Sequence, residues 1–205
     1  MDTKNFHRNI ERAICREHKI NIPMSEWDNF QGLTYEEMYG HIVKNFSRQK
    51  LSVTELTDET VRMTLKLADK KIRAVDGALQ FVKKSKNYFA TIALTTSAKK
   101  EFQEAIFAKF KLWPYFDAVV TGDDIKNGKP DPEPYLLTCA KLGVKPARCV
   151  VIEDADNGII SAKKAGCFAV GLATTFNKNK LLASGADLAV KNFKELSAKP
   201  EKYFI

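Results

Sequence analysis

Glu153 and Asp154 directly follow the apolar run Val150-Val151-Ile152, which puts two carboxylates at the exit of a buried strand. Negative charge there is costly unless something cationic pairs with it. A hard, oxygen-liganded cation such as Mg²⁺ suits such a pair, because it needs only one or two carboxylates beside phosphate and water. The alternative is that Asp154 or Asp156 caps the helix that follows. A lysine in Gly128-Lys129-Pro130-Asp131-Pro132 sits on a short, stiff loop, where it either neutralises a phosphate as a point charge or is a surface residue in a turn. Thr95-Thr96-Ser97 leaves a third apolar run, and hydroxyls beside the free amides of a helix N-terminus make an anion cradle. Capping by Ser97 alone is the other explanation.

The elements that must position these groups follow from periodicity. Short apolar runs (Thr91-Ile92-Ala93-Leu94, Ala118-Val119-Val120, Cys149-Val150-Val151-Ile152 and Phe168-Ala169-Val170-Gly171-Leu172) alternate with amphipathic helical segments, two of which end at Gly143 and Gly166. That alternation predicts an α/β fold, a parallel sheet covered on both faces, with ligands beyond the carboxyl ends of its strands. Ahead of residue 75 only helices are predicted. Phe6, Ile10, Ala13 and Ile14 share one face, Thr34 and Glu37 form a capping box, and a third periodic segment spans about Thr57 to Leu67. The predicted organisation is a helical unit over residues 1–74 and an α/β unit over 75–205.

Composition narrows the function classes. With 205 residues, 44% hydrophobic and 28% charged, the chain is an ordinary globular protein able to bury a core. Its net charge of +8 comes from scattered lysines, paired at most, without the interleaved aromatics of a stacking platform, so no nucleic acid is expected. No apolar run reaches the ~18–20 residues of a membrane span. Cys15, Cys139, Cys149 and Cys167 have no metal-ligand spacing and no signal peptide ahead of them, which fits a cytoplasmic location.

Hydroxyl, lysine and acidic pair, in that order at successive strand exits, resemble motifs II, III and IV of the haloacid dehalogenase superfamily. The strings Ile92-Ala93-Leu94-Thr95-Thr96-Ser97, Gly128-Lys129-Pro130-Asp131-Pro132 and Ile152-Glu153-Asp154 with Asn157-Gly158-Ile159 are similar to its β-phosphoglucomutase-like branch, as is Gly185-Ala186-Asp187-Leu188. The resemblance covers essentially the whole chain. It implies a Rossmann-like core under a small helical cap, and a Mg²⁺-dependent phosphatase acting on a small phosphorylated substrate. Thr96 would hold the transferring phosphoryl group with Ser97 beside it, Lys129 would neutralise it, and Asp154 would bind Mg²⁺ with Glu153 assisting. Phe30-Gln31-Gly32-Leu33-Thr34 resembles the substrate-facing cap loop, which makes Gly32 and Tyr35 candidate substrate contacts. Where the branch's mutases place an arginine this chain has Tyr35, so a phosphatase is expected rather than a mutase. A dehalogenase is not expected, because that branch lacks the Glu153-Asp154 pair.

The family's motif I, a strand ending in Asp-x-Asp-Gly whose first aspartate is the nucleophile, occurs nowhere in the sequence. Met1-Asp2-Thr3 resembles the residues that follow that motif, so the expectation is a chain beginning just downstream of it, as a shortened gene model or isoform would, and inactive in this form. The resemblance places the motif I strand at the centre of the sheet. Two half-sheets with unpaired inner edges and a slot roughly 5 Å wide are then expected. The half-sheets must close up, receive a strand from a partner or a second copy, or leave the chain unstable. A non-catalytic phosphate-binding protein on the same fold is the alternative function.

Overall fold

The computed structural model describes residues 4–198. Three helices come first: α1 (Lys4–Glu17), α2 (Tyr35–Phe46) and α3 (Val53–Lys71). The capping box opens α2 as predicted, with Thr34 Oγ1 accepting from Glu37 N–H at 3.2 Å and Glu37 Oε2 accepting from Thr34 N–H at 2.8 Å. Ile10 and Ile14 of the predicted α1 face are buried against Trp27, Phe30, Met38, Tyr39 and Ile42, a core that belongs to the helices themselves.

The α/β part follows as α4 (Ala78–Ser85), β1 (Ala93–Thr95), α5 (Lys100–Phe110), β2 (Ala118–Val120), α6 (Glu133–Leu142), β3 (Val150–Glu153), α7 (Asp156–Lys164), β4 (Phe168–Leu172), α8 (Lys178–Ala183), β5 (Leu188–Val190) and α9 (Phe193–Ala198). All strand pairings are parallel. β4 shows why its sequence is uniformly apolar. Ala169 packs with Ile159 and Leu181 on one face, whereas Val170 and Leu172 pack with Phe81 and Leu196 on the other. Gly143 takes the predicted left-handed conformation at the end of α6, with φ +66°, and Gly166 likewise follows α7 with φ +85°. Residues 1–3 and 199–205, the outer ends of the two expected units, lie outside the described residues.

Among the described residues the strands form two separate sheets, β1-β2 and β3-β4-β5, so β1 and β3 each have an inner edge that no described strand pairs. The half-sheets have not closed up. Leu94 and Thr95 of β1 and Ile152 and Glu153 of β3 line one cavity of about 810 Å³, which continues under the helical layer. Ala68 of α3 and Ile72 just after it, packed on Phe102 and Ile106 of α5, join that layer to the α/β part. Among the described residues no helix is long and apolar enough to cross a membrane.

Candidate active site

Three strand exits meet at the cavity: Thr96 and Ser97 after β1, Lys129 on the loop before α6, and Glu153 and Asp154 at the end of β3. Lys129 is buried and organises them. Its ammonium pairs with Glu153 Oε1, lies 3.5 Å from the Thr95 carbonyl oxygen, and stands 5.0 Å from the centre of the Tyr135 ring. The Lys129-Pro130 peptide is cis. An ammonium has three donors, so the pairings with Glu153 and Thr95 leave one N–H for a ligand.

Glu153 is held from several sides. Burial alone would raise its pKa, but the Lys129 charge and the hydrogen bonds from Lys129 and Tyr135 outweigh it and hold the carboxyl below its ordinary range. Tyr135 Oη donates at 2.6 Å, and Oε2 accepts from the Asp154 N–H at 3.1 Å. Gly158 is required by this packing, since a Cβ there would lie 2.2 Å from Glu153 Cδ. Asp154 is different. Burial, then the neighbouring Glu153 charge, raises its pKa against the opposing hydrogen bond from Thr175. Thr175 Oγ1 donates to its Oδ2, and among the described residues its Oδ1 accepts no hydrogen bond.

The hydroxyls divide their work. Thr96 Oγ1 accepts from the Ala98 N–H at 3.2 Å and keeps its own proton for another acceptor. Ser97 Oγ instead donates to the Gly32 carbonyl at 2.6 Å, tying the cap loop to the strand exit. Gly32, with φ +90° and the Asn157 Cβ 3.2 Å from where its own would be, admits no side chain without strain. Two more ties run beside it: Asn157 Nδ2 donates to the Gln31 carbonyl at 2.8 Å, and the Gly128 N–H donates to Glu37 Oε1 at 2.7 Å. Tyr35 lines the cavity from the helical side, its hydroxyl 2.7 Å from His7 Nδ1.

Every sequence-predicted candidate (Thr96, Ser97, Lys129, Glu153, Asp154, Gly32 and Tyr35) is therefore at this cavity or on the ties beside it. Sequence reasoning missed Tyr135, read only as an apolar helix residue, and Thr175, which nothing in its neighbourhood marks. It also missed His7, Glu11 and Gln103, which line the cavity from α1 and α5. The spacing of His7 and Glu11, four residues apart on the inward face of α1, was the available signal.

Parallel strands whose exits meet at one cavity define an α/β protein of the kind that binds its ligand beyond the carboxyl ends of the strands. Residues 1–172 match the family model of the haloacid dehalogenase-like hydrolases, and the chain belongs to that family. It is 31% identical to the validoxylamine A 7'-phosphate phosphatase of Streptomyces hygroscopicus subsp. limoneus over 192 residues, covering 93% of this chain and 88% of that protein. Over 116 residues, 56% of this chain and 52% of the relative, it is 41% identical to the phosphorylated carbohydrates phosphatase of Thermotoga maritima. The fold superposes on a hydrolase from Pseudomonas syringae with a TM-score of 0.86 at 20% identity, over 97% of this chain and 92% of that one. A β-phosphoglucomutase from Clostridium difficile gives 0.83 at 24% identity, over 99% and 92%.

Proposed function

We propose that the chain provides the phosphate- and cation-holding part of a Mg²⁺-dependent phosphatase for small phosphomonoesters, with residues 4–71 as its cap. The observation that carries this reading is the convergence of Thr96, Lys129 and Asp154, from three separate strand exits, on one wall of one cavity. The phosphatase names of the relatives support the reaction class. Lys129 neutralises phosphoryl oxygens through its remaining N–H, and Thr96 donates its hydroxyl proton to another. This is the electrostatic positioning that phosphoryl transfer requires.

The donor set fits Mg²⁺ in chemistry. Asp154 offers a hard oxygen, Oδ1, and its raised pKa is what a nearby cation would reverse. Glu153 assists indirectly, because both its oxygens already accept protein donors. The metal would supply charge neutralisation at the phosphoryl group.

Among the described residues the acidic side chains lining the cavity are Glu11, Asp76, Glu153 and Asp154. Asp76 is paired with Lys194, and Glu153 with Lys129. Asp154 is assigned here to the cation and Glu11 lies on α1, so among the described residues no carboxylate is assigned as a nucleophile, and on this reading the chain binds the ester without turning it over. The separate sheets favour a second reading for the active species, in which a strand from a partner or a second copy pairs with the inner edges of β1 and β3. The free cysteines suit a reducing, cytoplasmic setting.

The test is Mg²⁺-dependent phosphate release from an aryl phosphate. Residues 1–205 should give none. The same residues preceded by an apolar strand ending in Asp-x-Asp-Gly should give release that Asp154→Asn abolishes. Turnover by residues 1–205 alone would refute the binding-only claim, and an inert extended protein would refute the phosphatase reading.

A further inference from the structure

The cavity holds two further polar groups, one on α1 and one on α5, that the proposed phosphate-holding residues do not use. Glu11 projects from α1 one turn after His7, and among the described residues its carboxylate makes no hydrogen bond. Gln103, on α5 opposite, is only 4% exposed, and its amide nitrogen has no partner although it lines the same cavity. Arg8 Nη2 donates to the Trp27 carbonyl at 2.8 Å and to Asp28 Oδ1 at 2.9 Å, and the guanidinium reaches Glu11 through its charge and not through a hydrogen bond. His7 is turned to Tyr35.

A carboxyl group accepts hydrogen bonds through its carbonyl oxygen whether or not it is protonated, and an amide NH₂ donates them. A buried donor without an acceptor is unfavourable, so the pair is built for something that enters. A hydroxyl answers both, since it donates and accepts, and several hydroxyls on one carbon skeleton can reach both groups. The rings of Trp27, Phe30 and Phe102 line the same region and offer apolar faces to the C–H groups between the hydroxyls.

From this we infer that Glu11 and Gln103 are specificity-determining residues that grip the hydroxyls of a polyhydroxylated leaving group while Thr96 and Lys129 hold its phosphate. The inference rests on the phosphate-holding reading of that wall. It distinguishes a sugar-like or polyol phosphate from an alkyl phosphate of equal length. Neither residue touches the phosphorus, so their effect falls on the choice of ester and not on the affinity for phosphate itself.

The test is equilibrium binding to residues 1–205, with Mg²⁺ present, of inorganic phosphate, a hexose phosphate and n-hexyl phosphate. The wild type should bind the hexose phosphate about tenfold more tightly than hexyl phosphate, the scale of one or two net hydrogen bonds. Glu11→Leu and Gln103→Leu should each erase most of that preference and leave inorganic phosphate affinity unchanged. That unchanged affinity shows that the variants are folded with the phosphate wall intact. Glu11→Gln should retain part of the preference, because the amide oxygen still accepts. A wild type that binds phosphate but does not distinguish hexose from hexyl phosphate would overturn the inference alone. So would a preference that survives both leucine variants. A wild type that binds no inorganic phosphate would overturn the phosphate-holding reading first, and this inference with it.

Discussion

Burial shifts His7 and Glu11, one turn apart on α1, in opposite directions. Burial pushes the Glu11 carboxyl up from 4.5 to about 7, with Arg8 opposing, and pushes His7 down from 6.5 to about 4. Both groups are thus held in their neutral forms between those values. The consequences for stability have opposite signs. Between pH 4.5 and about 7 the folded state keeps a proton on Glu11 that the unfolded chain has lost, so stability falls as pH rises through that window. For His7 the unfolded chain takes up a proton first, so stability falls as pH drops from 6.5 to about 4. Glu11→Gln removes the first effect. The variant should melt above the wild type at pH 8, by an amount corresponding to up to about 3 kcal/mol, and the difference should vanish near pH 4.5. An equal difference at both pH values in thermal denaturation would mean that ionisation of Glu11 is not the cause. A buried carboxylate that weakens the fold is what a binding site retains.

At the scale of elements, Lys129 is the crosspiece between the half-sheets, with Glu153 of β3 on one side and the Thr95 carbonyl of β1 on the other. Its side chain and that of Glu153 are 7% and 10% exposed, so removing one partner strands a charge. Lys129→Ala should destabilise the protein by about 3–5 kcal/mol, and the double variant Lys129→Met, Glu153→Gln should recover most of it. Chemical denaturation of the three proteins checks this, and a mild single variant would show that water already reaches the pair. The sequence made this crosspiece half legible. A lysine between glycine and proline and an acidic pair ending an apolar run pointed to charge that needed a partner. Which partner each would take depends on strand order and on the cis turn, neither of which leaves a local signature. Thr175 was illegible for the same reason, because its link to Asp154 exists only through tertiary placement. The strands were legible because each apolar run is bounded by polar loop residues. By contrast α4 lacked such bounds, and its short apolar stripe emerges only when Phe81 packs under Val170.

For the whole molecule, the decisive feature is the divided sheet. Among the described residues, backbone donors and acceptors on the inner edges of β1 and β3 find no partner strand, and an open strand edge is a template for pairing. Residues 1–205 should therefore melt several degrees below the strand-extended protein, since a difference of only ~1–3 kcal/mol moves a domain of this size by that much. Melting temperatures that coincide would show that the edges are satisfied in another way. The absence of Asp-x-Asp-Gly was readable from the sequence alone, and so was the slot, because its location followed from the resemblance. Its volume and its continuation toward Glu11 and Gln103 were not, since they arise from how the helical layer settles on α5.

The three ties from Ser97 to Gly32, Asn157 to Gln31 and Gly128 to Glu37 carry a kinetic meaning. Two fasten the helical layer to the loops that present Thr96 and Lys129, and the third to the first turn of α7, just after Asp154. Lifting the layer must unfasten all three, next to the residues proposed to hold the phosphate. Admission and grip are then one event rather than two in succession. On the proposed reading, the opening of these three hydrogen bonds, together with the packing of Ala68 and Ile72 on α5, would govern how long a bound ester stays.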